Sequence, residues 1–253
     1  MKTLVVLPTY NEAATIGEVL RRTRAAVADA SVLVVDDGSP DGTADLAAEL
    51  GIELGCVDVL RRPARRGLGD AYRAGFAWGL DRGAEALVEM DSDLSHDPAA
   101  LPALLGALDH SDLVIGSRYV PGGSIPQWGL HRRLLSKGGN VYSSLMLGVP
   151  VRDMTSGFRA YRADLLRKMD LDTVRADGYG FQIEMTYRAA TAGARITEVP
   201  IRFVDREAGQ SKMSSHIVVE ALALVTRWGA GRLASRLTGP RGRGAQTAGV
   251  GRS

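Results

Sequence analysis

The chain has 253 residues, 45% hydrophobic and 24% charged, a mix that suits one globular α/β domain with a short appendage. Its 31 basic and 29 acidic residues leave a net charge of +2, which gives no reason to expect a nucleic-acid partner. A single cysteine, Cys56, excludes an internal disulfide and a cysteine-built metal cluster, and it reads as a small core residue in a reducing cytoplasm.

The opening Met1–Pro8 has too short an apolar run for a signal peptide, and no run approaches the ~18 apolar residues of a membrane span. Thr3–Leu7, Ser31–Val35, Val57–Leu60, Ala86–Met90 and Leu113–Ile115 read as buried strands. Between the first two, Ile16, Val19, Leu20, Thr23, Ala26 and Val27 recur at helical spacing. Asp41-Gly42-Thr43 can start a second helix and Gly51 end it; a third runs from Leu68 to Arg82, with Gly83 as its stop; Asp97-Pro98 starts a fourth. Repeated strand–helix–strand units imply a mostly parallel sheet with right-handed crossovers, whose ligands sit at the carboxyl ends of the strands. Beyond Val120 the rhythm changes. Pro121–Gly129 reads as a loop, Arg132–Leu147 as an amphipathic helix, then a helix–strand stretch, with Ile196–Val204 as a further strand and Ser214–Leu237 as a last helix. Residues 240–253 are Gly- and Arg-rich and read as a disordered basic tail.

Three acid-bearing segments follow the strands: Pro8-Thr9-Tyr10-Asn11-Glu12, Asp36-Asp37-Gly38-Ser39-Pro40-Asp41-Gly42-Thr43 and Asp91-Ser92-Asp93-Leu94-Ser95-His96. Any one alone suits a loop or a helix cap. Together they put like charges at one sheet edge, where they repel unless a cation or a donor-rich ligand holds them. Two carboxylates one residue apart, Asp91 and Asp93, can reach one hard cation, and Mg²⁺ or Mn²⁺ would keep positions open for diphosphate oxygens.

These segments resemble the family 2 inverting glycosyltransferases with a GT-A fold. Gly116-Ser117-Arg118-Tyr119, Arg132-x-x-x-Ser136-Lys137-Gly138, Asp153-Met154-Thr155-Ser156-Gly157-Phe158-Arg159 and Arg206-x-x-Gly209-x-Ser211-Lys212 are similar to the dolichol- or polyprenol-phosphate mannosyltransferases. The resemblance implies a GT-A-type, Rossmann-like catalytic domain over residues 1–212, with a nucleotide-sugar half near 1–117 and an acceptor half near 118–212. An amphipathic helix over 213–239 and the tail would follow. It implies that Pro8, Tyr10, Glu12, Val35, Asp37 and Ser92 hold the donor GDP-mannose, that Asp91 and Asp93 bind the metal, and that Arg206 and Lys212 contact the diphosphate. Ser95 stands where some relatives carry glutamine as a further metal ligand. Arg118, Arg132 and Ser136 would hold the phosphate of a polyprenyl lipid, so that Asp91, Asp93, Arg118 and Arg206 carry catalysis. The Gln-x-x-Arg-Trp motif of the processive branch is not found, which points to a single transfer. Glucose and N-acetylglucosamine transferases share much of the motif set, so UDP-glucose and UDP-N-acetylglucosamine stay open as donors.

From Leu113 to Arg152 there is no Asp or Glu, while Arg118, Arg132, Arg133, Lys137, Arg152 and His131 all fall there. A solvated basic face would show the same bias; an anion site needs it, because the arginine fork donates two parallel hydrogen bonds to phosphate. Arg132, Ser136 and Asn140 share one helical face, and Leu134, Leu135, Val141, Tyr142, Leu145 and Met146 supply apolar surface nearby or ordinary core. An attacking lipid phosphate is largely ionised near neutral pH, its second pKa being about 6, so no strong base is required, and His96 reads as a supporting residue. A nucleotidyltransferase or a noncatalytic lipid-binding subunit are the rivals. A dinucleotide oxidoreductase is disfavoured, since Gly67-x-Gly69 lacks the third glycine and does not follow the first strand.

The last helix carries Met213, Ile217, Val218, Ala221, Leu222, Val225 and Trp228 at helical spacing. Beyond Lys212, Arg227, Arg232, Arg236, Arg241, Arg243 and Arg252 face only Glu220. It reads either as a helix on an anionic bilayer surface or as one packed on the catalytic domain. The expectation is a peripheral protein on the inner face of the cell membrane, with a membrane-anchoring partner allowed.

Overall fold

The computed structural model describes residues 1–205 and 215–238. Strands β1 (Thr3–Thr9), β2 (Ser31–Asp36), β3 (Val57–Arg61), β4 (Ala86–Glu89), β5 (Leu113–Ser117), β6 (Arg159–Arg162) and β7 (Ile196–Pro200) form one sheet in the order β3-β2-β1-β4-β6-β5-β7. All neighbours are parallel except β6, which runs antiparallel to both β4 and β5. Helices α1 (Ile16–Ala26), α2 (Thr43–Leu54), α3 (Leu68–Asp81), α4 (Leu101–Ala107), α5 (Leu130–Leu147), α6 (Ala163–Lys168), α7 (Gly178–Thr191) and α8 (Ser215–Thr238) cover it. The α/β architecture expected from the alternating pattern is present.

Both faces of the sheet are buried, which is why β1 is a continuous apolar run. Leu4 and Val6 enter one core with Tyr72, Phe76 and Phe181, while Val5 and Leu7 enter the other with Ile16, Leu20 and Leu104. Helix α3 lies close against the sheet because Gly75 and Gly79 have no side chain. A Cβ at Gly75 would collide with Val6, and one at Gly79 would fall 2.6 Å from Leu4.

Three expectations need correction. Cys56 is exposed, not core; it sits in the turn between α2 and β3 with φ of 54°, outside the apolar strand that follows. Helix α2 runs through Gly51 to Leu54, because the chain turns only at Gly55, with φ of 65°. Strand β7 stops at Pro200 instead of Val204, since Arg202 and Phe203 leave β5 to make single bridges with Ser124 and His96. The last helix is present, and three of its apolar residues are used internally: Ala221 and Val225 are buried in the core shared with α7, and Trp228 stacks on Tyr187 at 6.3 Å. Among the described residues, no helix is long and apolar enough to cross a membrane.

Candidate active site

The carboxyl ends of β1, β2 and β4 open onto a cleft of about 560 Å³. Because β6 is antiparallel, the loop that precedes it, 153–158, reaches the same edge and completes the far wall.

The β1 and β2 loops are laced together. Asp36 accepts from the Gly38 and Ser39 amides at 3.1 and 2.9 Å, and from the Ser39 and Thr9 hydroxyls at 2.6 and 3.0 Å. Asn11, Glu12 and Ala13 donate their amides to Ser39, Thr43 and Asp41 at 3.0, 3.0 and 3.1 Å. Asp36 is thereby spent on the loop and Asp37 lines the cleft. Burial pushes the Asp37 carboxyl above its ordinary value, against the pull of Arg62 at 3.1 Å. Pro8, Tyr10 and Glu12 line the same end, where Arg65 lies over the Tyr10 ring at 4.6 Å. Val35 is in the core with no exposed surface, so its side chain forms no part of the wall.

The β4 loop turns at Leu94, which takes the left-handed φ of 63°. That turn brings the Ser95 amide to Asp93 at 3.0 Å, while the Ser92 hydroxyl donates to the Pro8 carbonyl at 2.8 Å. The buried Tyr72 donates to Asp91 at 3.3 Å, and the Asp91 amide donates to His96 Nδ1 at 3.2 Å. Burial holds the His96 pKa below its ordinary value; the neutral ring stacks on Phe158 at 5.1 Å. His96 therefore supports the loop, with its accepting nitrogen occupied. Asp91, Asp93 and Ser95 all line the cleft, and the buried Ser95 hydroxyl has no hydrogen-bond partner among the described residues. No cluster of three or more His, Cys, Asp or Glu suited to a metal occurs among those residues. Two carboxylates with a spare hydroxyl fit a hard cation that draws its remaining oxygens from water and a diphosphate.

Two arginines in different situations also line the cleft. Arg118 donates through Nε and Nη2 to Asp153 at 2.8 and 2.7 Å, and Nη2 also reaches Thr155 at 2.8 Å. Burial opposes ionisation of Asp153, but the Arg118 charge outweighs it and holds the carboxyl below its ordinary value. Arg132 lies over Trp128, its guanidinium carbon 3.9 Å from the ring centre. It uses Nη1 alone, on Asp205 at 3.1 and 3.2 Å. Among the described residues its Nε–Nη2 edge makes no hydrogen bond, so that edge can take a phosphate bidentately. Ser136 accepts from the Tyr119 hydroxyl at 2.7 Å. Asn140 accepts from the Met154 amide at 2.7 Å and is a buried clasp between α5 and the β6 loop.

Arg206 and Lys212 lie outside the described residues. Sequence reasoning missed Tyr72, Arg65, Trp128, Asp177, Gln182 and Asp205, all but Tyr72 in the cleft wall. Only Asp205 carried a signal, as the residue before the Arg206 motif. It also missed Glu89, buried below Asp91, whose carboxyl burial pushes up to about 7; an acid inside an apolar strand gives no period-2 cue.

A family model described as glycosyl transferase family 2 matches residues 4–170. The chain is 54% identical over 243 residues to an undecaprenyl-phosphate mannosyltransferase of Micrococcus luteus, covering 96% of this chain and 99% of that one. It is 49% identical over 230 residues to a polyprenol monophosphomannose synthase of Mycolicibacterium smegmatis, covering 90% and 87%. In structure it is similar to glucosyl-3-phosphoglycerate synthase from Mycobacterium tuberculosis, solved with Mn²⁺, UDP and glucosyl-3-phosphoglycerate. The TM-score is 0.59 at 25% identity, with 95% of this chain and 81% of the other covered.

Proposed function

The chain belongs to glycosyl transferase family 2, and on that premise we propose that it transfers mannose from GDP-mannose to a polyprenyl phosphate, with inversion, at the inner face of the membrane. The observation that carries the reading is one cleft lined both by carboxylates and by arginine. Asp91 and Asp93 line it, and so does Arg132, which lies over Trp128 and, among the described residues, has one guanidinium edge without a hydrogen bond. The relatives named for undecaprenyl- and polyprenol-phosphate chemistry supply the acceptor class.

Asp91 and Asp93, with the Ser95 hydroxyl beside them, would hold Mg²⁺ or Mn²⁺, which when bound neutralises charge on the departing diphosphate. Pro8, Tyr10, Glu12 and Asp37 take the nucleoside side, and Arg206 and Lys212 are assigned to the diphosphate by their motif. Arg132 orients the acceptor phosphate, whose ionised oxygen displaces GDP at C1 in one step. No protein base is needed, in keeping with a buried, neutral His96 whose Nδ1 is already in use. Catalysis is then positioning and charge stabilisation.

The test is GDP release from GDP-mannose with and without polyprenyl phosphate. Release that requires the lipid, and that exceeds UDP release from UDP-glucose and UDP-N-acetylglucosamine, is expected. Preference for a UDP-sugar would reassign the donor, and pyrophosphate release would make the protein a nucleotidyltransferase. Within the same assay, Arg132→Ala should raise the acceptor KM or depress turnover by roughly tenfold to a hundredfold, the about 1.5–3 kcal/mol of a charged hydrogen bond. GDP-mannose binding, read by calorimetry, should be nearly unchanged; equal weakening of both substrates counts against the assignment.

A further inference from the structure

Helix α5 is apolar on more than its inner side. Its inward face carries Asn140, Ser143 and Leu147, each 1% exposed, with Tyr142 and Met146 packed against the core, while Leu130, Leu134, Val141 and Leu145 are 73, 62, 51 and 73% exposed. Residues 130, 134, 141 and 145 fall within one stripe at 3.6 residues per turn, opposite the buried positions. An amphipathic helix on a water-facing surface keeps that outward stripe polar. With Leu135, five of the eight exposed large hydrophobics among the described residues lie on this helix, so they form a patch, not scatter. The inward polar groups are fully engaged: Asn140 bonds to Met154, Ser136 and Thr155, and Ser143 to the Gly139 carbonyl at 2.8 Å. The helix therefore does not rotate to hide its leucines.

We propose that the outward stripe of α5 docks into an anionic lipid surface and is the membrane-contacting element of this protein. Exposed His131, Arg133 and Lys137 border the leucines, and no acidic residue lies anywhere from Leu113 to Arg152. Anionic headgroups complement that border. A second copy related by a two-fold axis would set the same cations against each other. Helix α8, the sequence-level candidate for this role, has already turned Ala221, Val225 and Trp228 inward onto α5 and α7, so it braces the docking helix from behind. Interfacial helices sink roughly 5–10 Å into the headgroup boundary, and a helix is about 10 Å across. Arg132, on the inward side of α5, would then lie near the headgroup phosphates. This last consequence rests on the acceptor reading above; the docking itself does not.

Full-length protein should be sedimented with vesicles of phosphatidylglycerol, and separately of phosphatidylcholine, both free of polyprenyl phosphate. The wild type should partition onto the anionic vesicles in a salt-sensitive way. The combined substitution Leu134→Ser, Val141→Ser and Leu145→Ser should lower that partition by roughly tenfold or more, from the apolar area removed. Leu145→Ser alone should lower it less, and Ile52→Ser, at a still more exposed site on α2, should not. Turnover on a short, soluble acceptor should be unchanged in every variant, which also shows that each is folded. Undiminished partition of the triple variant overturns the proposal. So does a wild-type dimer in lipid-free solution that the triple substitution dissociates, because the stripe would then be covered by protein. Failure of the wild type to turn over any soluble acceptor would count against the transferase reading and leave the vesicle result to stand alone.

Discussion

Asp93→Asn is expected to leave a folded protein with less than about one-thousandth of wild-type turnover, and Asp91→Asn to do the same. A bound cation contributes several kcal/mol of charge stabilisation in the transition state, and each ~1.4 kcal/mol is a factor of ten in rate. Asparagine is the informative replacement at Asp93, because its carbonyl can still accept the Ser95 amide that shapes the loop. The loss should therefore appear in turnover and in Mn²⁺ affinity measured by calorimetry, with the melting temperature little changed. Chelation of the wild type should reproduce the loss, and added Mg²⁺ or Mn²⁺ should reverse it. Full activity in excess EDTA would remove the metal from the scheme and reduce Asp91 and Asp93 to loop formers.

The second large effect is on stability. Asp153 is fully buried and receives the Arg118 backbone amide, Nε and Nη2 at 2.9, 2.8 and 2.7 Å. Asp153→Asn leaves the Arg118 charge buried without its counterion, a change that costs about 3–5 kcal/mol. At roughly 2–4 °C per kcal/mol for a domain of this size, the melting temperature should fall by roughly 6–20 °C. The pH dependence has a definite sign. The folded carboxyl sits below its ordinary value of 3.8, so the native state holds fewer protons there than the unfolded chain. The pair's contribution is complete above about pH 4 and is lost as pH falls through the folded pKa. Thermal melts from pH 7 to pH 3 should show the gap between wild type and Asp153→Asn narrowing at the acid end. A constant gap across that range would mean that the salt bridge is not what the substitution removes.

Arg118 and Arg132 show how far residue type and spacing carry a reading. Both stand in the acid-free stretch, and the sequence pairs them as acceptor ligands. The fold lines one cleft with both but gives them different partners: Arg118 is held by Asp153, which lies one residue past the end of that stretch, whereas Arg132 rests on Trp128 and, among the described residues, has one guanidinium edge without a hydrogen bond. Spacing does not pair either arginine with its partner, because Asp153 and Asp205 reach them from 35 and 73 residues away. The buried strands were legible because parallel pairing hides both faces and forces unbroken apolar runs. Strand β6 was not, since Arg159-Ala160-Tyr161-Arg162 is neither apolar nor alternating. It is a strand because Arg159 is fully buried and donates to the Met154, Ser156 and Gln182 carbonyls. The outward apolar stripe of α5 also escaped periodicity, which finds an apolar stripe without saying whether it faces inward.

The placement of β6 between β4 and β5 has a consequence for how the chain acquires its fold. Until residue 162 is available, β4 has a bare edge, and β5 has only a later strand, β7, to pair with. A chain emerging in order can assemble β3-β2-β1-β4, but it cannot close the sheet until a segment about 70 residues beyond β4 returns and inserts, a long loop closure that slows folding. The loop after β4 is tied to β1 and α3 through Ser92 and Tyr72 and can take shape early, whereas the loop after β5 gains its place in the sheet only when β6 inserts. A nascent or partly unfolded molecule can therefore shape the Asp91 and Asp93 wall of the cleft first, and the Arg118 wall joins it only once β6 has inserted between β4 and β5.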